Sequence, residues 1–433
     1  MKILIIGSGG REHAIIRKLA LDGKRRFDQT GIPMPDLYAA KGNPGMASLA
    51  KCVPIADDDV EGLLRFAKEE AMDLTIVGPE VPLSLGIVDA FLDAGLTIFG
   101  PNREAAQLES SKAYAKKFMQ QAGIPTPSYA EFTDMTEALT YLEAQSLPIV
   151  IKADGLAAGK GVTVAYTKEE AIRAVKEAMQ DRVFGDAGSR LIIEAFVNGP
   201  ELSVMAFVDQ SGFKMMPAIQ DHKQVYDDDL GPNTGGMGTF YPVPIATANV
   251  IHQVRTEIFE RFVAHLADYG IVFRGVLFAG IIVQAGKPYV IEFNVRFGDP
   301  ETQVVMELLE ADILSIFESV TKDQIAQTSI MWSNQPTVCV IIASKGYPGA
   351  YRKGYPIEGL ATLSQKAYAI HAGTAFDEQG RIVTAGGRVL GVVSRASTLN
   401  QARQQAYQAI DSLSFEGMHM RRDIGTRKSN LNV

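Results

Sequence analysis

Residues 291–303 read I-E-F-N-V-R-F-G-D-P-E-T-Q, a stretch that begins as a strand and ends as a polar turn. Glu292, Asn294 and Arg296 alternate with Ile291, Phe293, Val295 and Phe297. Alternate residues of a strand share one face. The spacing predicts a strand over Tyr289–Phe297 with an acid, an amide and a guanidinium on one side and an apolar face on the other. A carboxylate and an amide oxygen about 7 Å apart along that side suit a hard divalent cation. A guanidinium beside them suits an anion or a developing phosphoryl charge. By itself the pattern also describes an edge strand with solvated polar groups.

Upstream, an apolar run at Ile149–Ala153 leads into K-A-D-G-L-A-A-G-K-G at 152–161. This is not a Walker loop, which needs four residues between its glycines and Ser or Thr after the lysine. Only three residues separate Gly155 from Gly159, and Gly161 follows Lys160. Small residues still let backbone amides close over phosphates, and Lys152 at the strand end meets them as a point charge. Glu194-Ala195-Phe196-Val197 follows another strand, with Glu201 beyond it. An extended hinge there offers backbone groups to an adenine edge, Phe196 an apolar surface and Glu201 an acceptor for ribose hydroxyls.

The polar segment from Gln220 to Pro244 reads as one long loop containing Q-D-H-K at 220–223 and G-P-N-T-G-G-M-G at 231–238. Asp227–Asp229 reads as a solvated acidic turn rather than a metal site. His222 has no His or Cys partner at zinc spacing. No nucleophile–base pair stands out.

At the other end, the run Lys2–Ile6 ends in Gly7-Ser8-Gly9-Gly10-Arg11-Glu12, as a dinucleotide fingerprint would. The third glycine position is Glu12, where close helix–strand packing calls for Gly. A different phosphate ligand on the loop amides, or a tight turn with no ligand, remains open. Gly42-Asn43-Pro44-Gly45 and Gly78-Pro79-Glu80 end two further strands. Strands ending in such turns and separated by helical patterns indicate a parallel α/β unit over residues 1–105. Helices are expected over Ala106–Ala122 and Gln303–Glu318, and a small α+β domain over 331–433. The fold class is thus α/β and α+β multidomain, with an open parallel sheet first.

The chain has 433 residues, 46% hydrophobic and 21% charged, with a formal charge of −8. That balance argues against general nucleic-acid binding, which needs a basic footprint. No segment approaches the roughly 18 apolar residues of a membrane span. Cys52 and Cys339 are far apart and read as buried thiols of a reducing compartment. The expectation is a cytoplasmic protein without nucleic-acid or membrane partners, with a monomer as the working assumption.

These pieces in this order resemble the ATP-grasp superfamily and, within it, the phosphoribosylamine–glycine ligases. The motifs are G-S-G-G-R-E-H-A at 7–14, G-N-P-G at 42–45, G-P-E-V-P-L at 78–83, the 152–161 loop, the two segments at 220–238, E-F-N-V-R-F-G-D-P-E-T-Q at 292–303 and A-S-K-G-Y-P-G at 343–349. The resemblance spans nearly the whole chain. It implies an N-terminal phosphoribosylamine domain, an ATP-grasp nucleotide-binding core over 106–330 with a mobile subdomain at about 125–192, and a C-terminal domain. It implies that ATP, glycine and 5-phosphoribosylamine are substrates and that Mg²⁺ or Mn²⁺ is the cofactor. Carried over by position, Lys112, Lys152, Gly155, Gly159, Lys160 and Gly161 meet ATP phosphates. Glu194, Phe196, Val197 and Glu201 meet the nucleoside. Glu292 and Asn294 hold metal, while Arg296, Lys152 and Asp221 act in catalysis. Gly9, Gly10, Arg11, Asn43, Gly45, Pro79, Glu80, Asn233, Gly298 and Asp299 line the remaining substrate sites. Rival readings are a bicarbonate-using grasp enzyme such as a biotin carboxylase, a nicotinamide oxidoreductase and a nucleotide sensor without turnover.

Overall fold

The structure is a computed structural model that describes residues 1–155, 161–363 and 366–426. Ile3, Leu4, Ile5 and Ile6 of the first strand, Lys2–Gly7, are fully buried. A strand buried on both faces belongs inside a parallel sheet covered by helices. The spatial order is Lys51–Val53, Asp36–Lys41, Lys2–Gly7, Leu74–Val77, Ile98–Phe99, all parallel. The turns after the first, second and fourth strands in sequence carry Gly9, Asn43 and Glu80 at one end of this sheet. Glu12 explains the missing third glycine. A Cβ on Gly7 or Gly78 would stand 2.7 or 2.1 Å from its side chain, and its Oε2 accepts the Gly9 amide at 2.7 Å. A dinucleotide pyrophosphate would meet a buried carboxylate there.

Two antiparallel sheets follow. The smaller orders Tyr129–Phe132, Leu191–Ala195, Ile149–Ala153 and Val162–Ala165. The helices Met135–Glu143 and Lys168–Met179 pack on it around a separate core that includes Ala138, Ile151 and Val175. The larger orders Gly212–Met215, Glu201–Asp209, Gly275–Gln284 and Lys287–Asn294. A register shift in its last pair sets Gly280 against Glu292 but Ile281 against Val290, so Ile291 bulges out. The Ile291 carbonyl accepts Lys152 Nζ at 2.9 Å, and this bond joins the two sheets.

Several elements differ from expectation. The last strand of the larger sheet stops at Asn294 rather than Phe297, so Arg296 stands on a turn. The alternation nevertheless continues, with Phe293, Val295 and Phe297 buried. Ala106–Ala122 is two helices, Arg103–Ser110 and Lys112–Gln121. Ser111 is extended between them and caps the second through the Tyr114 amide at 3.1 Å. Gln303–Glu318 likewise splits into Glu301–Leu308 and Ile313–Thr321, with Asp312 capping the second. The "loop" from Gln220 to Pro244 is mostly strand. Gln220–Asp221 and Gly238–Tyr241 join the C-terminal sheet through Thr337–Ser344, while Gln224–Tyr226 pairs with Leu230–Asn233 as a hairpin. Asp227–Asp229 is an exposed acidic turn as expected, but it is also tied to the C-terminal segment. Buried Arg421 pairs with Asp229 and Asp423, and Asp227 accepts the Arg422 amide. Cys339 is buried, but Cys52 is only half-buried.

The C-terminal sheet continues through Arg388–Arg395 and Ala367–His371. A core containing Ile5, Ile15, Phe207, Phe297, Ile341 and Val393 runs unbroken from the N-terminal sheet through the larger grasp sheet to this one. Among the described residues no helix is long and apolar enough to cross a membrane.

Candidate active site

Lys152 is buried at the end of Ile149–Ala153, and its amine lies 3.0 Å from Glu194 Oε2. The other oxygen of Glu194 lies 3.2 Å from Lys116, itself 2% exposed. The Glu194 carboxylate is therefore a bridge between two lysines, not a free adenine contact. The Ala195 amide bonds Ser128, whereas the amides of Phe196 and Val197 have no backbone partner among the described residues. Phe196 packs toward Tyr166, ring centres 6.2 Å apart. The break at Ser111 starts a helix with Lys112, whose amine reaches the Gly155 carbonyl at 2.8 Å. Gly161 bonds back to Ala153. Gly159 and Lys160 lie outside the described residues.

The Glu292 side chain keeps access to solvent but lies in crowded surroundings, where the charges of four cations act on it. Burial would raise its pKa, but Lys223, Lys152, Lys112 and Arg296 outweigh that and hold it below the usual carboxylate range. Glu292 thus stays ionised beside Asn294. Among the described residues no group of three or more His, Cys, Asp or Glu side chains could hold a metal ion alone. Two protein oxygens completed by water and substrate phosphate are what Mg²⁺ commonly accepts. The pair fits a metal that arrives with a nucleotide.

Across the floor, burial raises the pKa of Glu201 despite Lys223. Burial, and next the charge of Asp221, raise that of Glu301, which accepts Ser203 Oγ at 2.9 Å. Burial opposes the charge of Lys223, but Asp221, Glu301, Glu201 and Glu292 together push its pKa well up. Lys223 Nζ pairs with Asp221 Oδ2 at 3.1 Å, but among the described residues neither Asp221 oxygen accepts a well-aligned hydrogen bond. A buried carboxylate in that condition is expensive unless a ligand completes it. Gly236 makes the room, because a Cβ there would stand 2.7 Å from both Asp221 oxygens.

Arg296 Nη2 pairs with Glu109 at 2.9 Å and donates to Asn294 Oδ1 at 3.1 Å, while Nε lies 3.3 Å from Glu80. Arg11 donates to the Phe297 carbonyl at 3.1 Å and approaches Glu80 at 4.0 Å. Burial notwithstanding, Arg296 and Arg11 keep Glu80, just after helix-capping Pro79, ionised. The first glycine turn therefore abuts the G-D-P-E-T-Q turn. A Cβ on Gly9 would lie 3.7 Å from Asp299, and one on Gly10 2.7 Å from Gln303. Asn43 donates to the carbonyls of Ser8 and His371. Gly45 lies against His13 and His371, where a Cβ would collide. Gly298 passes against Glu301 for the same reason.

One expected residue stands apart from the cluster, and one that was not expected enters it. Asn233 sits exposed in the hairpin with its amide oxygen taken by Gln224, and among the described residues no side-chain hydrogen bond joins it to this cluster. Conversely, Arg388 from the C-terminal domain enters the site unannounced. It lies 3.0 Å from Asp299 Oδ2 and donates to the Asp299 carbonyl at 2.7 Å and to that of Gly235. The glycines before it, A-G-G-R, were a visible signal of close approach. Glu109 and Lys116 were also missed, each hidden in an ordinary helical pattern.

A two-sheet nucleotide grasp, the lysines Lys112 and Lys152 beside Gly155, and an acid–amide floor define an ATP-grasp ligase. Three family models cover the chain: "Phosphoribosylglycinamide synthetase, N domain" over residues 1–109, its "ATP-grasp (A) domain" over 110–302 and its "C domain" over 337–427. The chain belongs to the phosphoribosylglycinamide synthetase family. It is 46% identical to a phosphoribosylamine–glycine ligase of Halalkalibacterium halodurans, covering 99% of this chain and 97% of that one. It is 44% identical to one of Caldanaerobacter subterraneus, covering 98% and 99%. A crystal structure of phosphoribosylamine–glycine ligase from Thermotoga maritima aligns with a TM-score of 0.85 at 32% identity, covering 98% of this chain and all of that one. The biotin carboxylase domain of Hydrogenobacter thermophilus 2-oxoglutarate carboxylase aligns at 0.73 and 17% identity, covering 96% and 91%, which shows likeness of fold.

Proposed function

We propose that the protein joins glycine to 5-phosphoribosylamine at the expense of ATP, giving N-(5-phosphoribosyl)glycinamide, ADP and phosphate, in the cytoplasm and as a monomer. Besides the family, the observation that carries this reading is the meeting of the Lys112–Lys152 end, the Glu292–Asn294 floor and the Glu80–Arg296 contact in one cluster. A carboxylate is a poor acyl donor because its leaving group would be an oxide. Phosphorylation makes glycyl phosphate, and attack by the amine of phosphoribosylamine then forms the amide and releases phosphate.

The residues would act mainly by positioning and charge stabilisation, as in other phosphoryl transfers. Lys112 and Lys152 would draw the phosphates toward the floor. Arg296 would face the moving phosphoryl group, and Glu80, beside its Nε, would help to hold the guanidinium in place. Asp221, buried and held by Lys223 on one oxygen, would take the glycine ammonium. Glu292 and Asn294 would hold Mg²⁺ or Mn²⁺, which offsets phosphate charge when bound. Water kept from the cluster would preserve the acyl phosphate.

The test measures ADP release with glycine and phosphoribosylamine each omitted in turn. Full release should need both. Release that persists without glycine but follows bicarbonate would replace this reading with a carboxylating one, and no release under any combination would leave only a nucleotide binder.

A further inference from the structure

The strand that carries Glu292 and Asn294 ends before Arg296, so the sheet ladder does not set where that guanidinium points. Glu80 and Asn294 meet the guanidinium alone, whereas Glu109 holds both the guanidinium and the backbone of the turn. Glu109 lies in the last turn of the helix Arg103–Ser110, with a side chain 7% exposed. One carboxylate oxygen, Oε2, accepts the Val295 amide at 2.8 Å, and the other pairs with Arg296 Nη2 at 2.9 Å. The first bond replaces a ladder bond for the backbone, and the second orients the side chain.

This placement works against stability. A helix C-terminus is the negative end of the macrodipole and disfavours an acid. Burial also raises the pKa of Glu109, with Arg296 opposing it. A buried acid with both oxygens committed to one turn is therefore placed for that turn. The same segment runs through Ser111 into Lys112, so one helix end fixes both Arg296 and the start of the phosphate-facing helix.

We propose that Glu109 is a positioning residue that holds Arg296 at the phosphoryl-transfer centre through its two bonds to the turn after Asn294. The proposal rests on the ligase reading. Gln at 109 keeps an acceptor for the Val295 amide and removes the charge that orients Arg296.

Steady-state kinetics on Glu109→Gln, Glu109→Asp, Arg296→Ala and the Glu109→Gln/Arg296→Ala double variant test it. Glu109→Gln should lower kcat by about 10- to 100-fold, with KM for ATP little changed. Glu109→Asp, which keeps the charge, should recover part of the loss. The double variant should be no slower than Arg296→Ala alone, because the two residues act through one guanidinium. Full kcat in Glu109→Gln, or losses that multiply in the double variant, would overturn the inference. If Glu109→Gln does not fold, Glu109→Asp decides: full kcat there, with the shorter acid unable to keep both bonds, overturns it. A wild-type chain without glycine- and phosphoribosylamine-dependent ADP release would sink the ligase reading instead, so the two failures are distinct.

Discussion

Glu292 has three lysines and an arginine acting on it, and all four hold its charge. Replacing it with alanine removes the anion on which those cations converge and leaves Asn294 as the only proposed metal ligand. Glu292→Ala should lower turnover by about a hundredfold or more while the thermal midpoint stays near that of the wild type. Turnover at saturating Mg²⁺ together with a melting curve checks this; wild-type turnover would remove Glu292 from the metal site. At this scale the sequence was informative where chemistry repeats at a fixed period. Glu292 and Asn294 share a face because strands alternate. Lys152 was legible as a strand-end lysine before glycines. Glu109, Lys116 and Arg388 were not, because their partners lie far along the chain: Glu109 bonds Val295, and Arg388 bonds Asp299.

The hairpin Gln224–Asn233 shows what short elements conceal. Strands of two to four residues offer no alternation to read, and glycines and prolines among them look like loop. The break at Ser111 was read through as one helix, although serine before a helical run is an N-cap signal. The hairpin is held by Arg421, which is fully buried, bonds the Gln224 carbonyl and pairs with two aspartates. Arg421→Met would leave Asp423 without its counter-charge, with only the Asp228 amide bonded to it, and free the hairpin beside Asp221 and Lys223. It should cost about 3 kcal/mol of stability, read from a urea midpoint, and raise KM for glycine. A shift below about 0.5 kcal/mol would mean that solvent replaces the arginine at no cost.

The N-terminal and C-terminal domains meet across a pair of histidines. His13 Nδ1 accepts the His371 amide at 2.8 Å, and Arg17 lies 3.4 Å from the ring centre of Tyr368. Burial, and then the His371 charge, lower the pKa of His13 to about 3; burial lowers that of His371 to about 4. Both rings stay neutral in the folded chain below the ordinary value of 6.5, where the unfolded chain protonates them. The unfolded state then binds more protons, so stability falls as pH drops from about 6.5 toward 4, by at most about 1.4 kcal/mol per pH unit for each ring. His13→Asn keeps an acceptor for the His371 amide and should flatten the fall in urea midpoint between about pH 7 and about pH 5. An unchanged slope would show that other groups govern it. The N-terminal parallel sheet was legible from its buried runs and glycine turns, but this junction was not, because neither histidine has a sequence neighbour that marks it.

The sheet shared by Gly238–Tyr241 and Thr337–Ser344 bears on how this family can be recombined. Residues 337–427 match a domain model of their own, which invites treating them as an exchangeable module. Two strands of their sheet, Gln220–Asp221 and Gly238–Tyr241, come from within the central model, and the Asp221–Lys223 pair sits on that same stretch. A hybrid gene that takes its third segment from a relative while keeping this middle one would seam two lineages through the middle of a hydrogen-bonded sheet, beside the Asp221–Lys223 pair. The natural crossover unit is therefore the third segment together with residues 220–241.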